Sequence, residues 1–175
     1  MKIIKATKSN ISDIIFLNSF VQKIHAINHP DIFKPPTNGS DIERFFEQIL
    51  EKENNYILIA YKENKALGYI WVELQHKPEN TFKYEQKRLY IHHVSVHKES
   101  RGQGIGKALF DKIETIAKQN GITNFALDSW EFNKNTHKIF QKLGFSIYNI
   151  TDLRGSAQVK FPLFFSARSL IYILI

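Results

Sequence analysis

Apolar and polar positions along this chain follow two different periods, and the periods mark its elements. Ile3-Ile4-Lys5-Ala6 reads as a short opening strand. Asn10 stands where a helix cap belongs, with Asp13 near the positive end of the helix that follows. Ile11, Ile14, Ile15, Leu17, Val21 and Ile24 then recur at helical spacing, and the helix should stop before Pro30. Positions 29–39 hold three prolines and a glycine and read as a loop. Ser40 and Glu43 form a capping-box pattern for a second helix reaching to about Lys52.

From there the period changes to two. Tyr56 to Tyr61 and Leu67 to Gln75 read as strands, and the polar turn Lys62-Glu63-Asn64-Lys65 joins them into a hairpin. Glu79 to Phe82 is polar loop, and Arg88 to Val96 is a third long strand. A helix over 104–119 carries Ile105, Ala108, Leu109, Ile113 and Ile116 on one face, with Gly121 as its C′ glycine. Phe125 to Trp130 reads as a strand, Lys134 to Leu143 as a helix and Phe145 to Ile150 as a strand. The order is one strand, two helices, an antiparallel meander, then β-α-β-α-β, which is a mixed α/β (α+β) fold. One right-handed crossover should lay strand 122–130 parallel to strand 88–97.

Composition narrows the chemistry. With 175 residues, 43% of them hydrophobic and 23% charged, the chain suits one domain with a substantial core. It has no cysteine, so disulfides, thiolate nucleophiles and cysteine zinc sites are excluded. That agrees with a reducing compartment, and Met1 to Lys5 lacks the apolar run of a signal peptide, so a cytoplasmic location is expected. The formal charge is +7, but the lysines are scattered and no nucleic-acid-binding signature is present. Solubility or attraction of an anionic ligand explains the charge better than nucleic acid does. His25 and His29 are spaced i,i+4, but no third ligand is evident, so no metal is expected.

The densest chemical signal is Arg101-Gly-Gln-Gly-Ile-Gly106, between the third long strand and the 104–119 helix. Its glycines let the backbone turn sharply and approach a ligand closely. The first amides of the helix have no partner inside it, and they point outward with the positive dipole end. A phosphate or pyrophosphate suits such a turn, with Arg101 and Lys107 adding charge at the rim. The spacing is neither the dinucleotide fingerprint nor a P-loop. On spacing alone, a tight turn without a ligand stays open.

The surrounding residues supply more. Val94-Ser-Val96, then Arg101-x-x-Gly104-x-Gly106 opening the helix Lys107-Ala-Leu-Phe110, resembles the acyl-CoA pyrophosphate loop of the GNAT superfamily. Asn133-x-x-Thr136-x-x-x-Phe140-x-x-x-Gly144-Phe145 resembles the superfamily's second motif. The resemblance implies the GNAT acyl-CoA N-acyltransferase fold, a mostly antiparallel central sheet with one splayed parallel strand pair, flanked by helices. It implies acetyl-CoA as cosubstrate and an amine acceptor, small molecule or peptide. Val94, Ser95 and Val96 would hold the pantetheine arm through backbone groups. Arg101, Gly102, Gln103, Gly104, Ile105, Gly106 and Lys107 would hold the pyrophosphate. Asn133, Thr136 and Phe140 would line the rest of the arm.

The implied reaction is direct attack of the amine on the acetyl thioester in a ternary complex, with a base to deprotonate the amine. His92, Glu73 and Tyr90 are the candidates for base or relay, with Asp128 behind them. Strand alternation puts Tyr90 and His92 on one face and Ile91 and His93 on the other, which makes His93 a packing or surface residue. The superfamily often has tyrosine, a proton donor to the departing thiolate, where this chain has Phe140. That departure favours an alternative, a non-catalytic acyl-CoA binding or sensing module.

The superfamily's acceptor site usually lies around the first two helices. Here that means residues 25–46, with His25, His29, Asp31 and Phe33 as candidates. Residues 1–151 would form the single GNAT domain. The apolar extension 152–175 is interrupted by Arg168 and too short for a confident membrane span. It is expected to be a strand covered by the domain or by a homodimer interface.

Overall fold

The computed structural model describes residues 1–151. The chain divides into two compact units, residues 1–133 and a unit that starts at Lys134. The first contains β1 (Lys2–Lys5), α1 (Ile11–Asn28), α2 (Ser40–Leu50), β2 (Asn55–Lys62), β3 (Lys65–Lys77), β4 (Gln86–Val96), α3 (Ile105–Gln119) and β5 (Asn124–Leu127). Its strands form one sheet in the order β1-β2-β3-β4-β5. The first four pair antiparallel, and β4 pairs with β5 in parallel, as the mixed α/β pattern requires.

Alternation sorts the sheet residues between two layers of helix. Ile57, Ile59, Tyr69 and Trp71 join Ile14 and Leu17 of α1 and Phe46 of α2 in one buried cluster. Leu58, Ala60, Ile70 and Val72 are one residue out of step and face the other way. Over that face α3 packs on β2, β3 and β4, burying Ile105, Leu109, Ile113 and Ile116. Gly68 marks the tightest approach in the sheet. A Cβ there would lie 2.8 Å from Ser95 O and 3.3 Å from Ile105 Cγ2, so a hydrogen is needed to seat β4 and the start of α3.

Turn and cap chemistry explains the element ends. Glu63 and Asn64 have φ of 50° and 63°, the left-handed pair that a twisted two-residue hairpin needs. At the end of α3, Gly121 N–H bonds Lys118 O at 3.2 Å and Ile122 N–H bonds Ala117 O at 2.9 Å. Gly121 takes φ 65° to make this possible.

Several sequence expectations need correction. Asn10 stands at the N-cap of α1 as expected but makes no side-chain capping bond: its Oδ1 accepts the Thr7 N–H at 3.0 Å and closes a short 3-10 turn over Lys8–Asn10. Ser40 is the first residue of α2 rather than its cap, so the capping box with Glu43 does not form and Gly39 stands at the cap. Ile24 is 40% exposed, because α1 meets the core through its first turns. The strand expected over 125–130 ends at Leu127.

The second unit begins with α4 (Lys134–Lys142). The helix ends as α3 does. Phe145 N–H bonds Phe140 O and Gly144 N–H bonds Gln141 O, both at 3.0 Å, with Gly144 at φ 87°. The Phe140 and Phe145 rings meet at 5.7 Å, the apolar contact that accompanies this kind of stop. Residues 145–150 form no strand. Ile147 and Ile150 are 78% and 72% exposed, and an apolar alternation without a ladder partner does not make a strand. The expectations for residues 152–175 lie outside the described residues. Among the described residues no helix is long and apolar enough to cross a membrane.

Candidate functional site

The site is built where β4 and β5 part. Their parallel pairing runs from Arg88↔Asn124 to Ile91↔Leu127 and stops, while β4 continues to Val96. Over Val94, Ser95 and Val96 the strand keeps its β3 partners, Ile70, Tyr69 and Gly68, but has no β5 partner. Among the described residues, that edge of β4 has no strand beside it over 94–96.

The chain then turns through a short 3-10 segment, Lys98–Ser100, into α3. Gly102 and Gly104 have φ of 76° and 78°, and no neighbour lies within 4 Å of where their Cβ atoms would be. Backbone conformation, not crowding by the protein, is what requires glycine at both. The first bond of α3 runs from Ala108 N–H to Gly104 O at 3.0 Å. The amides of Ile105, Gly106 and Lys107 precede it and have no partner within the helix. Arg101 is exposed, and its Nε–H reaches back to Val96 O at 3.2 Å, which ties the turn to the strand. Gln103 likewise bonds Glu99 O. The Lys107 ammonium bonds Asp111 at 2.8 Å along the helix, so its charge at the rim is partly spent.

The catalytic candidates meet on β3 and β4. His92 Nε2 donates to Glu73 Oε2 at 3.0 Å, and the imidazole stacks on Trp71 at 4.2 Å between ring centres. With Nε2–H given to the carboxylate, Nδ1 is the ring's basic nitrogen. Partial burial alone would raise the Glu73 pKa. Hydrogen bonds from Gln75, His92 and Asn54 outweigh it and hold the carboxyl below the ordinary range. Tyr90 gives its hydroxyl hydrogen to Asp128 Oδ2. Burial first, then Asp128, pushes its pKa up to about 12, so Tyr90 stays neutral with its one hydrogen committed to Asp128.

Alternation fails at His92. β3 and β4 shift register between Trp71 and Val72: Val72 faces Ile91, Trp71 faces His93, and His92 is the extra residue of a bulge. Both histidines therefore reach the same indole, with His93 edge-on to Trp71 at 5.1 Å. The expected placement of His92 and His93 on opposite faces is overturned.

His93 sits in a network that no sequence signal marks. Asn18 Nδ2 donates to Tyr69 OH at 3.0 Å and lies 3.2 Å from His93 Nδ1, and Tyr69 OH lies 3.0 Å from that same nitrogen. An amide nitrogen can only donate, so His93 Nδ1 is the acceptor and the proton is on Nε2. Burial, then the neighbouring His92 and His25, lowers the His93 pKa to about 4. Its folded value thus lies below the ordinary histidine value of about 6.5. Between these values the unfolded chain binds a proton that the folded chain does not, so stability is present above about pH 6.5 and is lost as pH falls toward 4. The loss amounts to about 3 kcal/mol. Urea midpoints measured at pH 7 and pH 4.5 should show it, and His93→Gln should lose less over the same interval.

Thr136 and Phe140 lie one turn apart on α4, in the second unit, where Phe140 is 8% exposed. Asn133 closes the first unit, its N–H bonded to Trp130 O at 3.0 Å. Among the described residues no group of acidic, histidine or cysteine side chains could hold a metal ion.

Comparison with known proteins places this geometry. The model of the acetyltransferase (GNAT) family matches residues 21–145. Human N-acetyltransferase 8B is 30% identical over 109 residues. That match takes in 62% of this chain and 45% of the human protein, so the chain spans less than half the length of the curated relatives it matches. A tetramutant of the BH1408 protein from Bacillus halodurans superposes with a TM-score of 0.83 at 25% identity, over 89% of this chain and 99% of that one. The aminoglycoside N-acetyltransferase AAC(6')-Iy, solved in complex with CoA, has a TM-score of 0.66 at 17% identity, over 88% and 98% of the two chains, and shows the shared fold. With its motif turn, its parted parallel strands and a family match over most of its length, this chain belongs to the acetyltransferase (GNAT) family.

Proposed function

We propose that the chain transfers an acetyl group from acetyl-CoA to a primary amine, by direct attack within a ternary complex. The observation that carries this reading is the parting of β4 from β5 immediately before a helix start whose glycines at 102 and 104 hold positive φ. The free edge of Val94 to Val96 suits an extended amide-bearing arm, and the amides of Gln103 to Lys107 suit a pyrophosphate. Arg101 adds charge beside them. Acetyl-CoA, when bound, supplies an activated acyl group and a thiolate leaving group.

The chain's own residues supply the proton chemistry. His92, through Nδ1, takes the proton from the incoming ammonium, and Glu73 holds the ring through Nε2 and stabilises its charged form. Tyr90, whose hydroxyl hydrogen goes to Asp128, orients the acceptor by receiving a hydrogen bond from it on the phenolic oxygen. Backbone N–H near Val94 polarises the thioester carbonyl. Phe140 has no hydroxyl to give, so the thiolate departs unaided and is protonated by water, which a free thiol pKa of about 8.5 allows.

The test is release of free thiol when the pure protein is mixed with acetyl-CoA and a panel of amines. Turnover with any amine supports transfer. Tight CoA binding with no turnover across the panel would make the chain an acyl-CoA binding or sensing module, the reading that Phe140 favours.

A further inference from the structure

Five half-buried rings gather beside the catalytic candidates. His25 and His29 come from the last turns of α1, Phe33 from the loop after it, and Trp130 and Phe132 from the segment that follows β5. Ring centres lie 4.7 Å apart for His25 and Phe33, 4.8 Å for His29 and Trp130, 5.1 Å for Phe33 and Trp130, and 5.5 Å for His29 and Phe132. The loop is pinned: Phe33 N–H bonds His29 O at 2.9 Å, and Gln22 Nε2 bonds Lys34 O at 2.6 Å. The cluster is thus assembled from three stretches of chain and stays partly open to solvent.

The cluster is continuous with the site. Trp130 and Phe132 follow closely on Asp128, which holds Tyr90. His25 is near enough to His93 to depress its ionisation, and His93 shares Trp71 with His92. Burial, then His29, also keeps His25 toward its neutral form. His25 therefore adds a mostly uncharged ring to those of Phe33, Trp130 and Phe132.

Charge distinguishes between acceptors. Glu73 is already held by His92, and Asp128 by Tyr90. Asp31 and Glu131, on the same two segments as the rings, are exposed. The chain as a whole carries +7. The five rings themselves present no carboxylate, and the chain's net positive charge adds a long-range penalty for a polycation. One ammonium attached to a flat apolar group would find ring faces for both parts.

We propose, on the acetyl-transfer reading above, that the acceptor is a primary amine carried on an aromatic group and bearing a single positive charge, and that these five rings seat the aromatic group. The reacting nitrogen then projects toward His92. Phe132 and Trp130 determine specificity, and His25 and His29 complete the seat.

The test compares 2-phenylethylamine, hexylamine and spermidine as acceptors with saturating acetyl-CoA. The expected result is a kcat/KM for 2-phenylethylamine about 10-fold or more above the other two, the size of one well-stacked ring. Trp130→Ala and Phe132→Leu should raise the KM for 2-phenylethylamine by a similar factor and leave that for acetyl-CoA unchanged; the leucine variant keeps the apolar volume and so guards against misfolding. A second readout needs no turnover. The chain has two tryptophans, Trp71 and Trp130, and 2-phenylethylamine should quench indole fluorescence in the wild type and far less in Trp130→Phe. Quenching without thiol release from any amine supports the seat while the acetyl-transfer reading fails. Equal or better use of spermidine or hexylamine, or ring variants with unchanged KM and quenching, overturns the proposal.

Discussion

Gly104→Val together with Arg101→Ala is expected to lower CoA affinity by more than about 100-fold, read by calorimetry, with the far-UV circular dichroism unchanged. The backbone supplies about half of this. Gly104 has φ 78° although nothing in the protein crowds its missing Cβ. Valine strongly resists that conformation, and a left-handed β-branched residue costs about 1–3 kcal/mol. The turn would relax, and the amides that start α3 would no longer converge. Arg101→Ala removes a cation whose loss from a charged hydrogen bond costs roughly a further 1.5–3 kcal/mol. Gly106→Ala sharpens the result. Gly106 is already within the helix, and its Cβ would meet only Val96 at 4.0 Å. The folded chain tolerates that methyl, so any loss of affinity there reports close approach of the ligand. Full affinity in the double variant would move the pyrophosphate elsewhere.

His92→Gln is expected to lower kcat/KM by about 100-fold, with CoA affinity unchanged, since a positioned base contributes roughly 10²–10⁴. Glu73→Gln should cost somewhat less, because it acts through the ring it holds. The double variant should be little worse than His92→Gln alone, since the two act as a unit joined by the 3.0 Å bond. The pH profile adds a second reading. Glu73 is held below the ordinary carboxylate range, so it is ionised throughout the neutral region and contributes no limb there. A limb of the profile that vanishes in His92→Gln identifies the base. Unchanged kcat in that variant would shift the proton work to Tyr90–Asp128 or to water.

The sequence carried the fold in most of its parts. Periodicity placed the β2–β3 hairpin, β4 and α3 because each has a continuous buried face, and α1 because its first turns do. It failed at 145–150, where an alternating pattern meets no ladder, and at Ser40, where Gly39 took the cap position; Asn10 holds the cap position but turns its side chain back to Thr7. The turn at 101–106 was legible because glycine and charge mark it locally. Asn18, Tyr69, Trp71 and Phe132 were not, since their roles arise from contacts between distant segments. Phe140 and Gly144-Phe145 have a plain physical reading beside any contact with acyl-CoA: they close the end of α4. His92 and Glu73 were found as separate candidates, and the register shift that brings His93 beside them was invisible to simple alternation.

That register shift separates the chemistry from the scaffold. Because His92 is the supernumerary residue, excising its one codon would let Ile91 and His93 continue an ordinary ladder against Val72 and Trp71. Nothing downstream would change partner: Val94 to Val96 would stay on Ile70, Tyr69 and Gly68, and the turn at 101–106 would keep its anchor. A protein of this architecture can thus gain or shed an imidazole at this position by a three-nucleotide insertion or deletion, without redesign of the strand edge and glycine turn beside it.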